Sequence, residues 1–195
     1  MKNIAIFISG SGSNLQAIID NMSNINGTIK FVLSNKEDAY GLKRAQLANI
    51  DTYVIKKNDI EILKLLKEND IDLIVLAGYL AIVSDTLIKE YPNKIINIHP
   101  SLIPSFCGHK AYGLKVSEMA YERGVKVTGV TIHFVDEVVD GGYIIAQKAV
   151  DIQECKSPLE IQQKVLNYEH ELLVFVVKKY CENKVIIENE RVNII

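Results

Sequence analysis

The sequence predicts a single α/β domain with a mainly parallel, twisted sheet and helices on both faces. Three observations carry that prediction. Through the first hundred residues, short apolar β-rich segments alternate with stretches of helical composition, the pattern of βαβ units. Two of those segments, Leu73–Ala77 and Lys94–Ile98, are almost continuously apolar, as strands covered on both faces are. The length of 195 residues fits one domain, since domains hold about 100–200 residues.

In chain order, strands are expected at Asn3–Ile8, Thr28–Leu33, Thr52–Ile55, Leu73–Ala77 and Lys94–Ile98. Helices are expected at about Asn14–Met22, Tyr40–Asn49, Ile60–Asn69 and Asp85–Tyr91. After Pro100 the texture changes. A loop runs to about His109, followed by a helix over Ala111–Arg123 and two β-rich runs, Val125–Val135 and Tyr143–Val150. A turn containing Asp140-Gly141-Gly142 links those runs. Ser157-Pro158-Leu159-Glu160 then supplies an N-cap, a Pro at the first helical position and a Glu at the third, so a long helix to about Cys181 is expected. Val185–Ile187 and Arg191–Ile194 read as a short hairpin. No repeat, linker or low-complexity segment is present.

Composition narrows the class of function. The formal net charge is −2, which offers no electrostatic footprint for nucleic acid or anionic lipid. The longest apolar run, Leu73 to Val83, is eleven residues, against the ~20 that span a bilayer. The N-terminus turns polar at Ser9 without the apolar core of a signal peptide. Cys107, Cys155 and Cys181 are odd in number and far apart, so a disulfide framework is not expected and a reducing cytoplasm suits them.

Four features carry chemistry. Ser9-Gly10-Ser11-Gly12-Ser13-Asn14 follows the first strand and opens the first helix, whose free N–H groups and partial positive charge can hold a phosphate. Leu15 stands where a dinucleotide fingerprint needs glycine, and no Gly-Lys-Ser/Thr is present, so one phosphate suits the loop better than two or three. The bland alternative is a tight turn with Ser13 or Asn14 as N-cap. Asn97 and His99 lie two apart at the end of a strand and so share a face, at the end where open α/β sheets bind ligands. An amide donor beside an imidazole can stabilise an oxyanion and move a proton; a purely structural histidine is the other reading. A metal site from His99, Cys107, His109 and His133 fits no zinc spacing, and His133 reads as structural or supporting. Asp140 is either a turn former or the carboxylate that orients His99 and favours its protonated form. Glu169 projects from the apolar face made by Val165, Leu166, Leu172 and Leu173, and it reaches a surface edge, an Arg or a ligand.

Together these residues resemble the glycinamide ribonucleotide formyltransferases, the folate-dependent family of purine biosynthesis. The likeness covers almost the whole chain: ISGSGSNLQAII at 8–19, SNKEDAYGLKRA at 34–45, LAGYL at 76–80, NIHPSLIPSF at 97–106, VTGVTIHFVDE at 127–137 and VDGG at 139–142. The resemblance implies one formyltransferase domain over 1–195, with a Rossmann-like, phosphate-binding βαβ half at 1–100. Residues 101–195 would hold the folate-pocket loop, the two β-runs and the long C-terminal helix. It implies transfer of formyl from 10-formyltetrahydrofolate, a co-substrate, to the amine of glycinamide ribonucleotide, with no metal. By matching position, Asn97, His99 and Asp140 are catalytic, with His99 protonated and its pKa raised by Asp140. Gly12, Ser13 and Asn14 bind phosphate, and Glu169 contacts the ribonucleotide. Leu80, Ala81, Ile82 and Val83 line the folate pocket, as do Asp136, Glu137, Val138, Val139 and Asp140, together with Asn97. The expected partners are small molecules, not nucleic acid or membrane, in a cytoplasmic monomer or homodimer.

The chain also departs from the family pattern. Ala81 stands where some members carry Arg, Leu166 where some carry Gln, and Cys107-Gly108-His109-Lys110 replaces a common Pro-Gly form. His109 and Lys110 have no assigned role, and Lys57 is the candidate for a folate-gripping Arg found in relatives. Three alternatives remain. One is formyltetrahydrofolate deformylase, which shares the Asn-His-Asp set and usually has a further N-terminal domain. Another is methionyl-tRNA formyltransferase, which usually has an RNA-binding domain and a basic surface. The third is a noncatalytic nucleotide-binding module using only the phosphate turn.

Overall fold

The computed structural model describes residues 1–195. The first half forms β1 (Lys2–Ile8), α1 (Ser13–Asp20), β2 (Gly27–Ser34), α2 (Tyr40–Leu47), β3 (Asp51–Val54), α3 (Asp59–Glu68), β4 (Leu73–Leu76), α4 (Asp85–Glu90) and β5 (Ile95–His99). The second half forms α5 (Leu114–Arg123), β6 (Val127–Phe134), β7 (Ile144–Asp151), α6 (Pro158–Cys181), β8 (Val185–Glu188) and β9 (Arg191–Ile194). No helix is long and apolar enough to cross a membrane.

One sheet takes the order β3-β2-β1-β4-β5-β6-β7, and β8 pairs with β9 apart from it. The pairings among β1 to β5 are all parallel, while β5–β6 and β6–β7 are antiparallel. The strand order reverses between β1 and β4, which opens a crevice beyond their carboxyl ends, the usual ligand site of such sheets. The sheet continues without a break across the division at residue 100.

Alternation along each strand sends successive side chains to opposite faces. Ile4, Ile6 and Ile8 join a core with Leu15 and Ile18 of α1, Leu42 and Ala45 of α2, Ala120 of α5, and Val165 and Leu173 of α6. Ala5 and Phe7 point the other way, into a second core with Ile62 and Leu66 of α3 and Leu87 of α4. Burying both faces is why β1 and β4 read as unbroken apolar runs.

Several boundaries differ from the sequence reading. Helix α5 starts at Leu114, not Ala111, because Ala111 N–H closes a turn on Gly108 O and Gly113 takes a positive φ. Helix α1 ends at Asp20, and its N-cap is Gly12 in a left-handed conformation, with no side-chain cap from Ser13 or Asn14. The start of α6 follows the expected grammar, since Ser157 Oγ accepts from Glu160 N–H. The Glu160 carboxylate, however, reaches the N–H of Lys156 at 2.8 Å instead of that of Ser157.

Candidate active site

The loop after β1 is shaped by one close approach. Gly12 has φ +70°, and a Cβ there would lie 2.6 Å from the Cα of Gly41 in the first turn of α2. Two glycines back to back therefore let the turn rest on α2. Its first helical bond runs from Gln16 N–H to Gly12 O at 2.9 Å, which leaves the N–H groups of Ser13, Asn14 and Leu15 outside the ladder. Free donors at the positive end of a helix form an anion site.

Across from this turn stands Glu169. It is buried on α6 and accepts a 2.8 Å hydrogen bond from Asn14 Nδ2, joining residues 155 apart in sequence. Burial pushes its carboxyl above the usual carboxylate range, and the Asn14 amide offsets part of that. Asn14 Oδ1 is buried with no partner in the protein. A carboxylate and an unused amide oxygen, side by side, offer acceptors to hydroxyl groups of a ligand.

Asn97 and His99 occupy the end of β5 as their spacing requires. The antiparallel register sets His133 of β6 directly opposite Asn97 and Thr131 opposite His99. His133 Nδ1 donates to Phe134 O at 2.7 Å, so its Nε2 accepts from Asn97 Nδ2 at 3.1 Å and fixes the amide. His99 Nε2 donates to Phe106 O at 3.0 Å, which leaves Nδ1 as the nitrogen that gains and loses a proton. That Nδ1 lies 3.7 Å from Asp140 Oδ2, while Asp140 Oδ1 lies 3.6 Å from His133 Nε2.

Asp140 sits at φ +57° in the β6–β7 connection and accepts from Gly108 N–H at 2.8 Å. The next turn needs glycine, since a Cβ on Gly142 would meet the carbonyl oxygen of Phe134 at 2.0 Å. Burial pushes the Asp140 carboxyl up, but His133, Gly108 N–H and His99 together outweigh it and hold it below its ordinary value. For His99 the balance falls the other way. Burial lowers its pKa, the Asp140 charge and the Phe106 carbonyl raise it without reversing that, and His133 lowers it a little further. The expected upward effect of Asp140 on the His99 pKa is present, but the net direction is downward. The Asp140 charge does raise it, yet burial dominates, and His99 rests below its ordinary value.

Gly12, Ser13, Asn14, Asn97, His99, His133, Asp140 and Glu169 line one cavity of about 650 Å³, and so do residues 80–83 and 136–139. Apart from Lys57, every residue the sequence reading assigned to the site is thus brought to the same cavity. His109 and Lys110 line it too, whereas Lys57 does not, and Lys110 is its only Lys or Arg. The sequence reading passed over Gln162, two helical turns before Glu169 on α6, which also lines it. It counted Ser9 in the glycine-serine loop but not its bridging contacts: its Oγ donates to Asn35 Oδ1 at 2.6 Å and accepts from Leu80 N–H at 2.8 Å, tying the loops after β1, β2 and β4 together. Nothing local in the sequence connects Ser9 with Asn35 or Leu80.

The family model for formyl transferase matches residues 2–177. The chain belongs to the formyl transferase family. Among relatives of this formyl transferase, the phosphoribosylglycinamide formyltransferase of Bacillus subtilis is 38% identical, over 92% of this chain and 94% of the relative. The crystal structure of glycinamide ribonucleotide transformylase 1 from Symbiobacterium toebii superposes with a TM-score of 0.92 at 38% identity, covering 100% of this chain and 94% of that one. A formyltetrahydrofolate deformylase from Pseudomonas syringae shares the fold with a TM-score of 0.89 at 25% identity; the match covers 99% of this formyl transferase and 65% of the deformylase.

Proposed function

We propose that this chain transfers the formyl group of 10-formyltetrahydrofolate to the amine of glycinamide ribonucleotide, a step of purine biosynthesis. The observation that carries the reading is that a single cavity holds an anion-binding helix start, a buried carboxylate and an Asn-His-Asp cluster. These suit a phosphate, a ribose and an acyl transfer respectively. The cavity volume lies within the ~300–1,000 Å³ range of small-molecule sites.

In this reading the N–H groups at Ser13 and Asn14, with Gly12 giving close approach, hold the phosphate. Glu169 and Asn14 Oδ1 receive ribose hydroxyls. Residues 80–83 and 136–140 flank the folate; Leu80, Ile82, Val138 and Val139 leave apolar surface exposed there for its rings. When bound, the folate supplies an electrophilic formyl carbon on a nitrogen able to leave.

Asn97 uses one amide hydrogen on His133 and has the second free for the formyl oxygen as it gains negative charge. His99, resting largely neutral, takes a proton from the attacking amine at Nδ1, and Asp140 stabilises the imidazolium. His99 then returns that proton to the departing folate nitrogen. One carbon–nitrogen bond forms, one breaks and one proton changes nitrogen, so neither water nor an oxidant is consumed. The reading places the reaction in the cytoplasm, where three unpaired thiols persist.

The test is to follow tetrahydrofolate release from 10-formyltetrahydrofolate with and without glycinamide ribonucleotide. Release that requires the ribonucleotide and yields its formylated product supports the transferase. Equal release without it points to the deformylase reaction, in which water replaces the amine, and no release in either case favours a binding module.

A further inference from the structure

The turn that receives the phosphate poses an electrostatic problem. Carbonyl oxygens at residues 10–12 would repel an anion unless each were drawn onto a donor elsewhere. Gly10 O accepts from Gly41 N–H at 3.0 Å, and Gly12 O accepts from Gln16 N–H at 2.9 Å. Ser11 O is engaged differently. It accepts from Nε of Arg44, on α2, at 2.8 Å. The same guanidinium donates to Gln16 Oε1 at 3.2 Å and lies over the Tyr40 ring, 5.1 Å from its centroid. Its Cδ is 3.5 Å from the point a Gly12 Cβ would occupy. Arg44 is half-buried and does not line the cavity, so it touches the turn from behind.

We infer that Arg44 is a positioning residue for ribonucleotide recognition. It turns the Ser11 carbonyl outward so that the turn shows the phosphate donors alone, and it sets a fixed positive charge behind those donors. This rests on the proposed substrate, and it adds a residue that none of the sequence features had marked for a role. Of the three carbonyls, only that of Ser11 is held by a side chain, so it is the one a substitution can release. A planar guanidinium suits the task because it bonds in two directions while stacked on an aromatic ring.

The experiment compares glycinamide ribonucleotide with the same molecule lacking its phosphate, as acceptors for wild type, Arg44→Met and Arg44→Lys. A charge-assisted hydrogen bond to the turn is worth about a tenfold change in an equilibrium constant. The expected result is that Arg44→Met lowers the preference for the phosphorylated acceptor about tenfold, through KM and not kcat. Arg44→Lys, which keeps the charge and loses the two-way contact, should lower it by a smaller factor. Should Arg44→Met fail to fold, Arg44→Lys carries the comparison alone, and a reduced preference still supports the inference. An unchanged preference, or an equal loss on both acceptors, overturns it, because general damage to the fold cannot sense the phosphate. Wild-type turnover of the ribonucleotide in the same assay shows separately whether the proposed reaction stands.

Discussion

At the scale of single residues, the titrating groups decide the chemistry. His99 is lowered by burial although a carboxylate lies 3.7 Å away. An imidazole that rests neutral accepts a proton from an amine more readily than one already charged, and in the proposed mechanism the nearby Asp140 then stabilises what forms. Asp140→Asn should therefore cut kcat on the order of a hundredfold or more, in line with the loss of one electrostatic partner at a reacting centre. Because the Asp140 charge raises the His99 pKa, removing it should also move the acid limb of the pH–rate profile to lower pH. Near-normal turnover, or an acid limb displaced upward, would remove Asp140 from this role. Glu169 behaves in the opposite sense. Its folded pKa is raised above the unfolded value, so the folded state binds more protons and stability falls as pH rises from the unfolded toward the folded pKa. The penalty is fully present above the folded pKa. Glu169→Gln should therefore melt higher than wild type at pH 8 and show little advantage near pH 4, while raising KM for the ribonucleotide. Melting curves at both pH values check the first claim, and each kcal/mol relieved moves Tm by about 2–4 °C in a chain of this size.

Elements explain which residues could be read from sequence and which could not. Asn97 and His99 were legible because a two-residue spacing on a strand needs no knowledge of neighbours. Glu169 was legible as an anomaly, a charge on an apolar helical face, but its partner on α1 was not, since nothing local connects residues 14 and 169. His133 was read as structural or supporting. Its place beside Asn97 depends on the β5–β6 register, which an antiparallel pairing sets through its connection and not through the strand itself. Gly12 as the helix cap escaped for a similar reason: its conformation answers to Gly41, on another helix. The capping of α6 by Ser157 was fully local and fully readable. The register argument makes its own prediction. His133→Leu keeps the strand apolar yet frees the Asn97 amide and leaves Phe134 O without its donor. It should lower kcat about tenfold with a smaller effect on KM for the folate, and destabilise the fold by about 1–3 kcal/mol, the cost of an unsatisfied buried group. Wild-type kcat in a correctly folded variant would show that Asn97 needs no such support.

For the whole molecule, the doubly wound order explains why so many separate segments converge. The loops after β1, β4 and β5 all leave the sheet at its carboxyl edge, and the crevice at the β1/β4 reversal receives them. The connection between β6 and β7 adds Asp140, and α6 crosses back to supply Glu169. A ribonucleotide spanning the α1 turn and α6 would therefore clamp elements from both ends of the chain, so global unfolding should report its binding. At a ligand concentration of one hundred times Kd, linkage adds about 2.7 kcal/mol to stability. A thermal shift of about 5–10 °C is expected with glycinamide ribonucleotide, at about 2–4 °C per kcal/mol. Absence of any shift at millimolar ligand would argue against this mode of binding.

The contact between Asn14 and Glu169 also has a meaning in time. During synthesis the turn before α1 leaves the ribosome early, yet the carboxylate that faces it is made 155 residues later. A nascent chain can thus complete β1 and α1 and still lack half of the proposed acceptor site until α6 docks. On the proposed reading, substrate capture becomes a late event in the life of the polypeptide, and the ribonucleotide-binding capacity of a cell extract counts the chains that have finished folding, not those that have been started.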